Sequence, residues 1–437
     1  MAEWFRTHPM VVLLLLVIAV ILVCNYIGGP FSLMRDTEFA YLDQPRTYTA
    51  VVTDYPSPRK KTYCVELNRR LLVYLDTAAT MPSLGDTVLV KTTIRRGGVL
   101  GKFDYGRYLR MQGIIGSGYA RARDFQILHP TQHLPLYLWP RYIQHRLYER
   151  LASLGLASRE LGTLAAITLG YKEDLDPDTK RAFQASGAAH VLAVSGLHTG
   201  IIYTILWSLL TLFGWRKPLY EERGKRIVLS VVILMCLWTY ALITGFTPSV
   251  VRATIMASTA QIGYMCYRQG NSFNTVATAA VFILLFAPRS LFSASFQLSF
   301  AAVIAILAAV QIVRYRHPVT DLLLVSVAAW LGTLPLTLCY FGQCSNYFLL
   351  TNCIVIVLAW LAVFGGLACM VFGTIPILGK FLVSCTQWIT WLMDSATEWI
   401  ESLPGAVTHL AITPTMAVVL YGAIILFFCG IYMLSTR

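Results

Sequence analysis

The chain has 437 residues, 56% of them hydrophobic and only 13% charged, with a mean hydropathy of +0.61. That composition excludes an ordinary soluble protein, and several apolar runs of ~20 residues, enough helix to cross ~30 Å of hydrocarbon, predict a polytopic membrane protein. The net charge of +13 suits anionic lipid, positive-inside loops or an anionic substrate, and does not choose among them.

Four zones follow in chain order. Residues 1–29 predict one membrane helix: Met10 to Ile27 is apolar and follows Arg6. The stretch is long for a signal peptide and Val-Cys-Asn is a poor cleavage site, so an uncleaved anchor is expected. Residues 30–135 are polar and alternate at period two. "RTYTAVVTD" (46–54), "KTYCVELN" (61–68), "RLLVYLDT" (70–77), "GDTVLVKTTI" (85–94) and "GIIGSGYARA" (113–122) predict five short strands separated by proline and glycine turns. "DYGRYLRMQG" (104–113) breaks the alternation and predicts a helix before the last strand. Five strands with one helix suggest a small Greek-key β-barrel of the OB-fold kind. Such barrels bind single strands through a basic groove with aromatic stacking. Arg59, Lys60, Lys61, Arg69, Arg70, Arg95 and Arg96, with Tyr63 and Tyr74, could supply one. They could equally be solvated loop and edge-strand charges.

Residues 136–185 predict amphipathic connecting helices. "YLWPRYIQHRLYERL" (137–151) suits a helix lying in the membrane interface, and Asp176 before Pro177 marks a helix start. Residues 186–437 are mostly membrane, with spans expected near 190–213, 227–244, 249–267, 273–288, 294–313, 319–339, 347–372, 376–396 and 412–433. "DSATEWIESLPGAVTH" (394–409) could be a separate surface helix, and Pro335 should break or kink its span. The basic connections 215–226 and 314–318 are expected in the cytoplasm. Both termini then fall in the cytoplasm, and His190 and the β domain fall outside. The ten cysteines lie in apolar runs except Cys64, and no CxxC or Cys/His zinc spacing occurs. Neither a disulfide framework nor a metal or other cofactor is expected.

Polar groups within spans are functional candidates by default. Arg252 lies just beyond the helix-starting Pro248; snorkelling or pairing with a carbonyl is its neutral alternative. In "FQASGAAHVLAVSGLHTGII" (183–202), His190, Val194 and His198 would share a face of a helix at i, i+4 and i+8. Ser195 neighbours His198, and Gly187, Gly196 and Gly200 leave room for a helix or a ligand to approach. Ser195 and His198 could be a nucleophile and base, but neighbouring positions on one helix give poor geometry and no acidic group stands at that depth. Plain helix packing remains the other reading. Gln297 and Asn352 add neutral polar groups at span depth. Such residues suit a conduit for a polar anionic substrate.

The segment 183–203 resembles the hallmark of the ComEC competence family, inner-membrane DNA-uptake channels. "ALITGFTPSVVRATIM" (241–256), "PRSLFSASFQLSFAAVIAI" (288–306), "GTLPLTLCYFGQCSNYFLLTNCIVIVL" (332–358) and "FDYGRYLRMQGIIGSGYA" (103–120) extend the resemblance, in order, over most of residues 45–410. The resemblance implies a polytopic α-helical membrane protein of the cell inner membrane, with an N-terminal extracytoplasmic OB-like β domain. It implies passage of single-stranded DNA into the cytoplasm during transformation, without enzymatic activity. His190, Ser195, Gly196, His198, Arg252, Gln297 and Asn352 fall on matching positions, as channel-lining or helix-packing residues. Many members of that family end in a metallo-β-lactamase-like domain. Here the sequence ends at Arg437 without an HxHxDH motif, so the nuclease is expected on a partner. No Walker A motif occurs, so a partner ATPase or an ion gradient would supply energy. A DNA-receptor protein, membrane lipid and a second copy of the chain are the other expected partners. A membrane hydrolase using Ser195 and His198, and a transporter of another anionic polymer or solute, are the alternatives.

Overall fold

The computed structural model describes residues 8–26, 42–59, 61–100, 103–111, 113–212, 223–266, 271–312 and 317–435. Lys60 and most of the two basic connections lie outside the described residues. The chain divides into two units: one of residues 16–145 with 284–293, the other of residues 1–15, 146–283 and 294–437.

The first unit carries the strands β1 (Pro45–Val51), β2 (Ser57–Pro58), β3 (Thr62–Leu67), β4 (Leu71–Asp76), β5 (Thr87–Thr93), β6 (Val99–Leu100), β7 (Phe103–Asp104), β8 (Gly116–Ala120) and β9 (Phe125–His129). Four of the five expected strands enclose one of these, the first overlaps β1, which begins one residue earlier at Pro45, and the expected helix is Tyr105–Met111. Alternation works as anticipated: Ala50 and Val52, Val65 and Leu67, Val73 and Leu75, and Val88 and Val90 all point into one core. Two larger sheets result, ordered β1-β5-β9 and β2-β3-β4-β8, with β4 and β8 parallel, and β6 pairs with β7 as a separate hairpin. Their ladders do not close into a barrel among the described residues. Isolated bridges, Val52 to Leu67 and Arg95 to Ser117, and a hydrogen bond from the Thr92 hydroxyl to Tyr119 O at 2.7 Å join one sheet to the other.

The second unit is helical. Numbering the helices in chain order, α1 is Pro9–Tyr26 and α2 the short helix of the β unit; α3 is Trp139–Ala152, α4 Ser158–Leu169, α5 Pro177–Ser186 and α6 Gly196–Leu212. There follow α7 (Arg223–Ile243), α8 (Pro248–Met265), α9 (Ser272–Phe286), α10 (Ala294–Ile312), α11 (Pro318–Phe341), α12 (Phe348–Phe372), α13 (Leu378–Ser402) and α14 (Pro414–Ser435). Five helices are long and apolar enough to cross a membrane: Pro9–Tyr26, Gly224–Ile243, Ala294–Ile312, Thr320–Phe341 and Phe348–Phe372. Ser272–Phe286 and Pro414–Phe428 are shorter apolar helices.

Three expectations need correction here. α11 runs through Pro335 without a break, so of the two expected outcomes, break or kink, the break does not occur. Hydroxyls serve the carbonyls around the proline: Tyr421 donates to Gly332 O at 2.8 Å, and Thr333 to Ala329 O at 2.8 Å. α13 continues to Ser402, so residues 394–402 are its last turns and not a separate helix. Its face Thr386, Thr390, Met393, Asp394, Thr397 and Ile400 is buried throughout, which leaves no reason to break. The first helix of the hallmark segment starts at Gly196 instead of near residue 190. As expected, α5 starts at Pro177 behind Asp176, whose carboxylate accepts the Thr179 N–H at 2.9 Å.

Two clusters hold the helical unit. One packs Leu164, Ile167, Phe183, Val355, Ala359 and Met393 between α4, α5, α12 and α13. The other packs Ile202, Leu229, Ile233, Leu237 and Val250 between α6, α7 and α8.

Candidate functional site where helix N-termini meet

The connection 187–195 is not helical, so His190, Val194 and His198 do not share a helical face. Gly187, at φ +91°, ends α5 in a left-handed conformation that L side chains rarely adopt. Ser195 then caps α6. Its Oγ accepts the Leu197 N–H at 3.3 Å, and His198 Nδ1 reaches back to accept the Ser195 N–H at 3.2 Å. This is a capping box with histidine where glutamate usually stands. Because Nδ1 accepts, the imidazole proton sits on Nε2. His198 is wholly buried, and Nε2 has no partner among the described residues.

Other helices begin at the same place. Ser249, in the first turn of α8, donates to Val194 O at 2.6 Å. Ala253 Cβ lies 3.9 Å from where a Gly196 Cβ would stand, so α8 and α6 touch at their starts. Gly200 has open space beside it, with no helix within 4 Å of where its Cβ would stand. Arg252 is buried in the second turn of α8, and its Nη2 donates to Ser295 Oγ at 2.6 Å and Ser295 O at 3.1 Å. That ties α8 to the first turn of α10. Gln297, two residues on, accepts from Tyr340 of α11 at 2.8 Å. At the other end of the connection, Thr351 in the first turn of α12 donates to Ser186 O at 2.7 Å. Asn352, the next residue, is 9% exposed. His190 lies in the connection, exposed, with Nδ1 3.1 Å from Gly187 O.

Six of the seven candidates therefore share a placement that the sequence did not reveal, and His190 lies in the connection before them. Ser195, Gly196 and His198 begin α6, Arg252 is the fifth residue of α8, Gln297 the fourth of α10 and Asn352 the fifth of α12. Hydrogen bonds chain the starts of α6, α8 and α10, and α12 closes on the far end of the same connection. Each start carries about +0.5 charge from the backbone dipole together with spare N–H groups. Converging starts plus one guanidinium make an electropositive locus suited to phosphate or carboxylate.

Several polar atoms along α8 have no partner among the described residues. Besides His198 Nε2 they are Arg252 Nε and the hydroxyls of Thr247, Thr254 and Ser258, all buried and all on α8 or its cap. Gln261 of α8 is by contrast satisfied by Tyr203 and Ser230, both at 2.9 Å.

The basic residues of the β unit do not form one row. Arg59 and Lys61 stand at one end of β3 and Arg69 and Arg70 at the other, six residues and roughly 20 Å apart. Arg69 donates to Tyr137 O at 2.7 Å and lies over the Tyr137 ring. Arg70 lines a cavity of about 200 Å³ with Arg46, Tyr48, Asn68, Leu71, Ile94 and Ile115. Arg95, next to Ile94, pairs its backbone with Ser117, and both Arg95 and Arg96 are exposed. Arg46 and Tyr48 were not anticipated, although their alternation with Thr47 on β1 puts them on one face. The described residues contain no group of three His, Cys, Asp or Glu placed to hold a metal ion.

Five helices long and apolar enough to cross a membrane point to a multi-pass membrane protein. The family profile described as "Competence protein" matches residues 167–435, more than half of the chain. The chain belongs to that family. It is 32% identical over 185 residues to ComE operon protein 3 of Bacillus subtilis (strain 168), covering 42% of this chain and 23% of the relative. It is 33% identical over 178 residues to an uncharacterized protein of Aquifex aeolicus (strain VF5), 40% of each chain. Competence protein ComA of Neisseria gonorrhoeae is 26% identical over 197 residues, 45% of this chain and 28% of that protein. The chain thus spans well under half the length of these relatives. No solved structure matches it.

Proposed function

We propose that this chain is a non-enzymatic conduit of the inner membrane that passes one strand of DNA into the cytoplasm during natural transformation. The observation that supports it most is the joined set of helix starts, with Arg252 and the unpartnered His198 Nε2 among them. Such a locus offers a phosphodiester chain several fixed donors and few full charges, so it can neutralise phosphate without trapping it. His198 and Arg252 would contact phosphate, Asn352 and Gln297 would line the route, and His190 would meet the strand first. The site then faces the periplasmic side, with both termini in the cytoplasm.

The β unit would receive the strand. The bridges at Val52–Leu67 and Arg95–Ser117, with a parallel β4–β8 pair, support a partly open five-stranded Greek key in the order β1-β3-β4-β8-β5, the OB arrangement. Arg46, Tyr48 and Arg70 around the cavity give it a basic and aromatic surface for single strands. A separate nuclease, a DNA receptor, an ATPase and a second copy of the chain are the partners this role calls for.

A hydrolase finds less support. Ser195 Oγ is 3.4 Å from His198 Nδ1 but also accepts from Leu197, and no carboxylate among the described residues meets Nε2 to orient the ring. The test is uptake of labelled DNA in a transformable strain whose own gene is deleted and replaced by this one. Arg252→Ala should leave labelled DNA outside the inner membrane. Normal entry in that variant would reject the reading.

A further inference from the structure

A second polar cluster lies away from the helix starts, between α4, α5 and α13. Asp394, in the middle of the buried face of α13, is 1% exposed. Its Oδ2 accepts from Thr163 of α4 at 3.1 Å, and Oδ1 has no partner among the described residues. The neighbouring threonines of α13 do not serve it: Thr390 donates to Thr386 O and Thr397 to Asp394 O. Arg159 Nε stands 4.0 Å from Oδ2, but the same guanidinium is bonded to Glu398 and to Thr179 of α5. Glu160, also on α4, is 8% exposed.

Charge bookkeeping decides what such a cluster can hold. Asp394 and Glu398 share the one guanidinium of Arg159, and Glu160 is a third carboxyl on α4. Among the described residues no other cation is paired with Asp394 or Glu398. α12, which packs against α13, carries no charged residue. On α5, Arg181 is committed to Glu401 and Asp178, and Lys180 is exposed. Lys380 is almost four turns away along α13, roughly 21 Å. Glu398 and Arg159 are part-exposed and paired with each other, so an ionised Asp394 would be a buried charge with only a shared guanidinium at 4.0 Å to offset it, which costs more than binding a proton. A metal cation is the poorer occupant: a guanidinium at 4.0 Å repels it, and a hard cation wants six or more oxygens.

We infer that Asp394 is a proton-binding site of the helical unit, taking up one proton on Oδ1 and releasing it as an ionised carboxylate held by Thr163 and Arg159. In the protonated state Arg159 belongs to Glu398 alone. In the ionised state it is shared, so loading and unloading the proton changes how α4 grips α13. The chain contains no nucleotide-binding motif of its own. A carboxyl that exchanges protons in this unit supplies a point where an ion gradient can act on it. The inference stands whether the transported polymer is DNA or not.

The test is infrared spectroscopy of the purified full chain in detergent, titrated from mildly acidic to mildly alkaline pH in H2O and in D2O. A protonated-carboxyl band that shifts in D2O and disappears as pH rises is expected, absent in Asp394→Asn and retained in Glu160→Gln. Two variants that keep Asp394 guard against misfolding of the first. Thr163→Val removes the hydrogen bond that favours the carboxylate and should move the midpoint to higher pH. Glu398→Gln frees Arg159 for Asp394 and should move it to lower pH. A band unaffected by Asp394→Asn, or a midpoint that neither of the other variants moves, overturns the inference.

Discussion

His198 Nδ1 accepts the backbone N–H of Ser195 at 3.2 Å, so the histidine of the hallmark segment closes the start of its own helix. One imidazole nitrogen is structural, and only Nε2 is left to meet anything else. Ser195 has the same local duty through its Oγ. Ser195→Ala should therefore cost a helix cap, ~0.5–2 kcal/mol, and leave DNA uptake within a few-fold of the parent. His198→Asn, whose side-chain oxygen can still reach the Ser195 N–H, should keep the fold and lose uptake, because it removes the Nε2 donor. Thermal unfolding in detergent and transformation frequency, measured together, separate the two effects. Loss of all activity in Ser195→Ala with the fold intact would point back to a hydrolase.

Arg252 holds Ser295 through one nitrogen and keeps Nε unpartnered. Replacing it with lysine keeps a charge but not the planar fork. Arg252→Lys should lower transformation frequency by roughly 10- to 100-fold, the equivalent of one charge-assisted hydrogen bond at ~1.5–3 kcal/mol. Arg252→Ala should lower it further. Equal frequencies for lysine and arginine would mean that only charge matters there.

Gly332 lets α11 lie against α10. A Cβ there would come within 2.5 Å of Ala305 Cβ and 2.8 Å of Ala301 O. Gly332→Val should cost at least the ~1–3 kcal/mol typical of overpacking. Yield and melting temperature in detergent should fall, while the neighbouring Thr333→Ser should be tolerated. An unchanged melting temperature for Gly332→Val would show that these helices do not pack this closely.

Glu66 gives the β unit a pH signature. Burial, and then repulsion by Asp54, push its carboxyl above the ordinary 4.5, against the hydrogen bond from Thr53. The folded chain thus holds more protons than the unfolded chain between the two pKa values, and stability from this group falls as pH rises through that window. Glu66→Gln, which can still accept from Thr53, should stabilise the protein at neutral pH and have little effect in acid below both pKa values. Circular dichroism melts of the full chain at the two pH values check the sign.

The strands were legible because each half-buried strand writes its own period-two pattern: Val65 and Leu67 point in, with Glu66 between them. β9 escaped notice because Phe125-Gln126-Ile127 is too short to stand out from the loop around it. Its strand state depends on pairing with β5. The expected 190–213 span starts later, at Gly196; a run of small apolar residues looks continuous in sequence. The left-handed Gly187 and the Ser195 cap, with a histidine at the third helical position, are what interrupt it. The linkage of the α6, α8 and α10 starts could not be read at all. It is made by contacts between residues tens of positions apart, such as Ser249 with Val194 and Arg252 with Ser295, and no local pattern encodes them.

The most direct measurement is photo-crosslinking during uptake. A photoreactive residue is placed at His190 or Gly200, both exposed beside the joined helix starts, and at Trp388 on the exposed face of α13 as a control. Cells taking up radiolabelled DNA are then irradiated. Label should attach at 190 and 200, only while DNA is in transit, and not at 388. Crosslinks equal at all three positions, or absent from 190 and 200 while uptake proceeds, would contradict passage of the strand over these helix starts.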